Sequence, residues 1–238
     1  MTPQWTDRSD RVLWSSAGPD HGLFVSQRGA KVEAILLGQP DLLIRELAAY
    51  AHEHGDVFDR ALLERSSADA VLAAQPSLFG PQRGDEWDFL YATRKPEEHP
   101  LSSNVRELDR ASEGEDIRSV IHRSIPGTWA LGVFDECRWV GYVEDGQILS
   151  AIAILPASRT EDGEIITQLA GFGTLPEARG RGIGAAVMST ITRATFDLGP
   201  VGFGMWRDND VARGLYTKLG FTVDVELVTV KKGSLERG

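Results

Sequence analysis

Three glycines at alternate positions, Gly180, Gly182 and Gly184, stand directly before an apolar stripe in "LPEARGRGIGAAVMSTITRATFDLG", Leu175–Gly199. Ile183, Val187, Ile191, Ala194 and Leu198 recur three to four residues apart, so a helix is predicted from about Gly184 with these residues on its core face. Glycine weakens a helix, yet here it crowds the start of one. A helix N-terminus carries unpaired N–H groups and the positive end of the dipole, and glycine lets backbone turn tightly and come close to a ligand. The combination describes an anion site whose natural guest is a phosphate or pyrophosphate, with Arg179 and Arg181 adding charge. A Walker A loop is excluded, because Ile183-Gly184-Ala185 stands where Gly-Lys-Ser/Thr is needed. Gly180-x-Gly182-x-x-Ala185 fits a dinucleotide fingerprint loosely, but "PEAR" separates it from its strand. A glycine-rich connection with surface arginines is the plain structural alternative.

Composition narrows the classes. The chain has 238 residues, 42% hydrophobic and 25% charged, which is ordinary for a globular protein with a real core. A net charge of −10, with both halves acidic, argues against nucleic acid as the main partner. No apolar run approaches the roughly 20 residues of a membrane span, and "MTPQWTDRSDRVLW" lacks a secretory layout, so a cytoplasmic protein is expected. The single cysteine, Cys137, excludes an internal disulfide framework and reads as a small strand residue. His52 and His54 lie two apart on a predicted helix, not four, so no metal site is expected.

Periodicity divides the chain in two. In the N-terminal part, "GLFVSQRGAKVEAILLG" reads as two strands about Arg28-Gly29. A helix after Pro40 follows, with Asp41 as N-cap and Leu43, Leu47, Tyr50, Ala51 and His54 on one face. A second helix is expected over "DRALLERSSADAVLAAQ", kinked near Ser66-Ser67, and then a strand at "EWDFLYAT" with Trp87, Phe89 and Tyr91 alternating. "RKPEEHPLSSN", Arg94–Asn104, reads as the linker, giving an accessory α/β domain over residues 1–100 and a second domain over 104–238. The second domain reads as strand "VRELD", a helix around "EDIRSVIHRS", a hairpin turning at Glu144–Gln147, and strand Glu164–Leu175. The helix after the glycines, strand "VGFGMWR", helix "NDVARGLYTKLG" and a last strand complete it. The fold class is therefore α/β (α+β): a mixed, mostly antiparallel sheet flanked by helices, with one parallel crossover.

Arg179-x-x-Gly182-x-Gly184 after "LPEA" closely resembles the acyl-CoA pyrophosphate loop of the GNAT superfamily of N-acyltransferases. "NDVARGLYTKLGF", Asn209–Phe221, resembles that superfamily's second signature, and both stand in its order over roughly residues 104–230. The resemblance implies acetyl-CoA as co-substrate, lying where two parallel strands splay apart, with no metal. It assigns the backbone of Phe172, Gly173 and Thr174 to the pantetheine arm. Arg179, Gly180, Arg181, Gly182, Ile183, Gly184 and Ala185 fall to the pyrophosphate, Asn209 to the arm, and Arg213, with Lys218, to CoA phosphates. Gly171 and Gly173 would mark a bulge and close ligand approach.

The implied reaction is direct attack of a neutral amine on the thioester, with Tyr216 donating a proton or hydrogen bond to the leaving sulfur. Histone-type relatives carry a glutamate where Gln168 stands. Glu164, four residues earlier on the same strand, is the candidate base acting through water, and His122 and Asp208 are others. A substrate amine of low pKa needs no strong base. The segment "HRSIPGTWALGVF" falls where the acceptor loop would lie, its Trp129 and Phe134 suggesting an apolar wall. Small amine, amino acid, antibiotic and protein N-terminus stay open as acceptors. The first ~100 residues resemble a degenerate GNAT half, as in tandem members. A catalytically inactive acyl-CoA sensor and a nicotinamide-dependent oxidoreductase are the alternative functions.

Overall fold

The computed structural model describes residues 11–28, 31–55, 58–79, 83–159 and 163–231. Two compact units emerge, one from residues up to Phe89 together with those from Val225 onward, the other from Leu90 to Asp224.

The first unit begins with an antiparallel meander of β1 (Arg11–Gly18), β2 (His21–Arg28) and β3 (Lys31–Gly38). Helix α1 (Pro40–His54) leads to β4 (Arg60–Glu64), which runs parallel to β3. Helix α2 (Arg65–Ala74) and β5 (Arg83–Ala92) follow. Strand β1 is not signalled by periodicity, because "RVLWSSAG" turns small and polar after three apolar residues. Helix α1 buries Leu43, Leu47 and Tyr50 as expected, with His54 stacked on Tyr50 at 4.9 Å. Its N-cap is Gln39 rather than Asp41: Pro40 takes the first helical position, and Asp41 lies in the first turn, where its charge favours the dipole.

The single helix expected over Asp59–Gln75 is corrected to a strand and a helix. Ala61 and Leu63 are fully buried while Arg60, Leu62 and Glu64 are half-buried, a period of two that only a strand satisfies. The helix starts where the kink was expected, and the Ser67 hydroxyl there donates to the Gly38 carbonyl.

Strand β5 forms where expected, but its buried face is Asp88, Leu90 and Ala92 rather than the aromatic one. A buried carboxylate needs a partner. Arg65 Nη2 lies 2.5 Å from Asp88 Oδ1, and Arg65 Nη1 lies 3.2 Å from Glu86 Oε2.

The second unit adds β6 (Val105–Leu108), α3 (Arg110–Ser124), a 3-10 turn at Trp129–Val133, β7 (Arg138–Glu144), β8 (Gln147–Ile154), the two-residue β9 (Ser158–Arg159) and β10 (Ile165–Thr174). Helix α4 (Ile183–Thr195), β11 (Val201–Trp206), α5 (Asp210–Lys218) and β12 (Phe221–Lys231) follow, the end of β12 belonging to the first unit. Strands β6, β7, β8 and β10 pair antiparallel in that order, and β11 joins β10 in parallel. This is the mixed, mostly antiparallel sheet that the pattern implies. The β7–β8 turn has Asp145 at φ 50° and Gly146 at φ 77°, as a two-residue hairpin requires.

Ile183, Val187 and Ile191 are buried on α4, but the helix stops at Thr195, leaving Leu198 outside it and 49% exposed. Cys137 is buried, and desolvation pushes its thiol up to about 11, so it stays protonated and inert. Phe134 is core rather than cleft wall: it packs on Trp139 at 5.1 Å, with the Arg118 guanidinium 3.6 Å from its ring centroid. Trp129 is half-exposed.

Arg65 is the more sensitive half of the buried pair, since its guanidinium faces both Asp88 and Glu86 and its loss removes that charge from both. Arg65→Met is expected to cost about 3–5 kcal/mol in denaturant unfolding. Asp88→Asn should cost less, because Glu86 remains, and Arg65→Met with Asp88→Leu should recover most of the loss.

Candidate active site

Strands β10 and β11 pair at only two positions, Thr167↔Val201 and Gln168↔Gly202. Beyond them β10 stays paired to β8 on its other side, through a bulge between Ala170 and Gly173 that leaves Gly171 and Phe172 out of register. Gly171 takes φ 58°, a conformation that side chains resist. The edge of β10 facing β11 is therefore open from Leu169 to Thr174.

The bulge glycines serve the protein's own packing. A Cβ at Gly171 would meet Ala130 Cβ at 2.7 Å, and one at Gly173 would run into Ser124 Oγ. On their Cβ side the close approach is made by the end of α3 and the 3-10 turn. Buried Ser150, unnoticed in the sequence although it is the one hydroxyl in "ILSAIAIL", bonds the Gly173 carbonyl at 2.8 Å and meets Thr174 Oγ1 at 3.0 Å. Phe172 faces the other way, its ring in contact distance of Gly184 at the start of α4. Neighbouring residues of a strand point to opposite faces, so α3 and α4 cover opposite sides of this segment.

At the mouth, Gly180 and Gly182 take φ 76° and 80°, and Gly182 forms the cap from which α4 starts. The first N–H bonded to it is that of Ala186, to the Gly182 carbonyl at 3.0 Å. The amides before it, through Ala185, lie in the first helical turn, where no intrahelical acceptor exists. Gly184 brings α4 close to α5, within 3.5 Å of Leu215 as measured from its Cβ position.

Both loop arginines are engaged by the protein. Arg179 donates to the carbonyls of Thr174 (3.2 Å) and Ser124 (3.3 Å), tying the ends of β10 and α3 together. Arg181 Nη2 lies 2.8 and 2.7 Å from the two carboxylate oxygens of Glu144, which holds that carboxyl below its ordinary range. Nothing in the sequence pairs Arg181 with a hairpin glutamate thirty-seven residues earlier.

Tyr216 is buried, its ring 4.4 Å from Phe203 and 6.1 Å from Phe221. Phe203 follows Gly202, so Tyr216 stands where the two strands part. Among the described residues its hydroxyl has no hydrogen-bond partner, and burial raises its pKa well above the ordinary phenol value. Asn209 caps α5, its side chain accepting from the Ala212 N–H at 3.2 Å. Arg213 donates to the Arg207 carbonyl at 2.7 Å. Lys218 is exposed in the last turn of α5.

The strand opening thus gathers Phe172, Gly173, Thr174, the 179–185 loop and Tyr216, with Asn209 heading the same helix as Tyr216. Glu164 is not among them. It lies before β10 begins, beside Gly199, whose Cβ position is 2.9 Å from the Glu164 Cβ. Eight residue steps, the bulge among them, lead from it to Phe172, at most about 26 Å at strand rise. Gln168 is half-buried at the last paired position, and His122 and Asp208 are exposed. No helix is long and apolar enough to cross a membrane among the described residues.

Solved structures share this architecture along nearly the whole chain. A GCN5-related N-acetyltransferase from Kribbella flavida superposes with TM-score 0.60 at 17% identity, covering 95% of this chain and 91% of that one. A GNAT-family acetyltransferase from Colwellia psychrerythraea gives 0.60 at 16% identity over 88% and 80%. One from Sphaerobacter thermophilus gives 0.56 at 14% over 91% and 81%. These likenesses concern the fold. No functionally curated protein matches the chain. The sequence model of the acetyltransferase (GNAT) family matches residues 103–221, which span both signatures and the opening between β10 and β11, and the chain belongs to that family.

Proposed function

We propose that the second unit transfers an acetyl group from acetyl-CoA to a primary amine within one ternary complex. The observation that carries this reading is the parting of β10 and β11 after two residue pairs, with Tyr216 packed at the fork. The amides of residues 181–185 bind the donor's pyrophosphate. The open edge of β10 at Phe172 and Thr174 takes the pantetheine arm, and the Asn209 NH2, which the cap leaves unused, reaches the same arm. The amine nitrogen attacks the thioester carbonyl carbon as a backbone N–H of the bulge polarises its oxygen. The C–N bond forms, the C–S bond breaks with its electron pair passing to sulfur, and the nitrogen proton leaves to water.

Burial decides the role of Tyr216. A phenol raised above 10 is a weaker acid than a thiol of about 8.5, so full proton transfer to the thiolate runs uphill. Tyr216 acts as a hydrogen-bond donor that stabilises the departing sulfur. It keeps its proton throughout the working pH range, because its acid form is lost only above a pKa that burial has raised.

Glu164 is dropped as base on its distance along β10, and the amine enters already neutral. We read the first unit as a degenerate repeat in an accessory role. It repeats the order of meander, helix, parallel strand, helix and strand, but β3 and β4 stay paired from Glu33↔Arg60 to Leu36↔Leu63. Its Gly38 N–H is bound to Glu64 Oε2 at 2.6 Å, where a ligand anion would have to compete. A sensor that binds acetyl-CoA without turnover is the second reading, favoured by Gln168 at the position where relatives carry glutamate.

Tyr216→Phe separates the two readings. An enzyme should lose about 10- to 100-fold in kcat with acetyl-CoA affinity unchanged, the scale of one hydrogen bond to a charged group. A sensor shows no turnover in either form. With a series of amines, the acidic fall in kcat/KM should move with the pKa of the amine, since the protonated amine cannot attack. An inflection fixed at one pH for every amine would show a protein base instead. Thermal denaturation should shift by several degrees with acetyl-CoA and with CoA, about 2.7 kcal/mol at 100 times Kd, and not with NADH.

A further inference from the structure

Residues 94–100 precede the matched family segment, yet they are fastened along its donor side. Arg193 Nη1 donates to the Pro96 carbonyl at 2.6 Å, and Lys95 pairs with Asp197 just beyond the end of α4. Arg94 Nη2 donates to the Lys218 carbonyl at 2.7 Å. The segment therefore runs along α4 from its C-terminal end to its N-terminal end, where His99 meets the glycine loop. A cavity of about 420 Å³ opens beside it, lined among others by His99, Pro100, Ser189, Lys218 and Leu219.

His99 is held in one orientation. The Leu101 N–H donates to its Nδ1 at 3.2 Å, so Nδ1 presents a lone pair and the ring proton sits on Nε2. The Ser102 N–H bonds the His99 carbonyl at 2.9 Å, and the Ser102 hydroxyl bonds Glu98 at 3.2 Å, which fixes the turn. The Cε1–Nε2 edge of the ring faces Gly182, 3.5 and 3.6 Å from its Cβ position. Among the described residues Nε2–H has no acceptor. A hydrogen-bond donor with its tautomer fixed thus stands at the loop from which both arginine side chains are withdrawn to protein partners.

We propose that His99 is a phosphate-binding residue of the donor site: Nε2–H hydrogen-bonds a phosphate oxygen of CoA seated on the loop of residues 180–185. The inference rests on the acetyl-CoA reading above and adds a ligand group from outside the matched family segment. Two phosphate sources fit, the pyrophosphate and the ribose 3′-phosphate.

The test is calorimetric titration of the full-length chain, His99→Ala and His99→Gln with acetyl-CoA and with acetyl-3′-dephospho-CoA, beside the Tm of each unliganded variant. His99→Ala should bind acetyl-CoA about tenfold more weakly with an unchanged Tm, the scale of a hydrogen bond to a charged group. His99→Gln, whose side-chain nitrogen replaces Nε2, should recover most of the loss. A penalty that persists with the dephospho ligand assigns the pyrophosphate, and one that vanishes assigns the 3′-phosphate. Unaltered affinity in His99→Ala overturns the inference while leaving the donor reading intact. So does equal loss in both variants with a lowered Tm. Failure of the unmutated chain to bind acetyl-CoA overturns the donor reading and this inference with it.

Discussion

The parallel ladder between β10 and β11 ends after two residue pairs, and the rest of the second unit is arranged around that interruption. Open strand edges expose backbone groups that must find partners in water, ligand or protein. Here the far edge of β10 is secured to β8, the bulge is wedged against α3 and the 3-10 turn, and the end of the strand is tied by Arg179. The edge facing β11 is held apart without collapsing, because Phe203, Tyr216 and Phe221 pack into one aromatic cluster at the fork. A gap in a ladder costs stability, and under the proposed function the pantetheine arm is what completes it.

The first unit shows what the same order of elements does without that interruption. Strands β3 and β4 remain paired over four positions, and the turn into α1 is a single residue, Gln39, between Gly38 and Pro40. A carboxylate of the chain itself, Glu64, sits on the amide of Gly38. The two units differ here in register and in whether a carboxylate of the chain itself covers the turn, not in the sequence of helices and strands.

The second unit was legible because its signals are local. Glycines 180, 182 and 184 with the stripe after them, and "NDVARGLYTKLGF", each encode a loop and a helix within a few residues. What escaped was set by distant partners. Arg60–Glu64 carries residues acceptable to a helix, and only pairing with β3 and β12 makes it a strand. Trp87, Phe89 and Tyr91 mark β5 as a strand, but nothing local tells that Asp88 lies buried, because Arg65, twenty-three residues away, neutralises it. The pattern puts Glu164 on the strand of the site, but it lies just before β10 begins, and alternation along a strand gives a face and not a depth. That the Cβ faces of Gly171 and Gly173 are covered by Ala130 and Ser124 is likewise set by residues far away in sequence.

The Arg181–Glu144 contact has a consequence for how a donor is captured. The guanidinium nearest the loop is already neutralised by a carboxylate at 2.7 Å. What the loop offers an arriving anion is then a set of fixed amide dipoles at short range and the one charge of Arg179, whose partners are neutral carbonyls. Dipoles that close act by geometry and are little weakened by dissolved salt, whereas attraction between separated charges fades within a Debye length of about 8 Å at physiological ionic strength. The protein as a whole is strongly acidic, and it would repel a polyanion at long range. Under the proposed function, encounter with the donor is thereby slowed and retention left to shape, so selectivity is gained at the expense of speed.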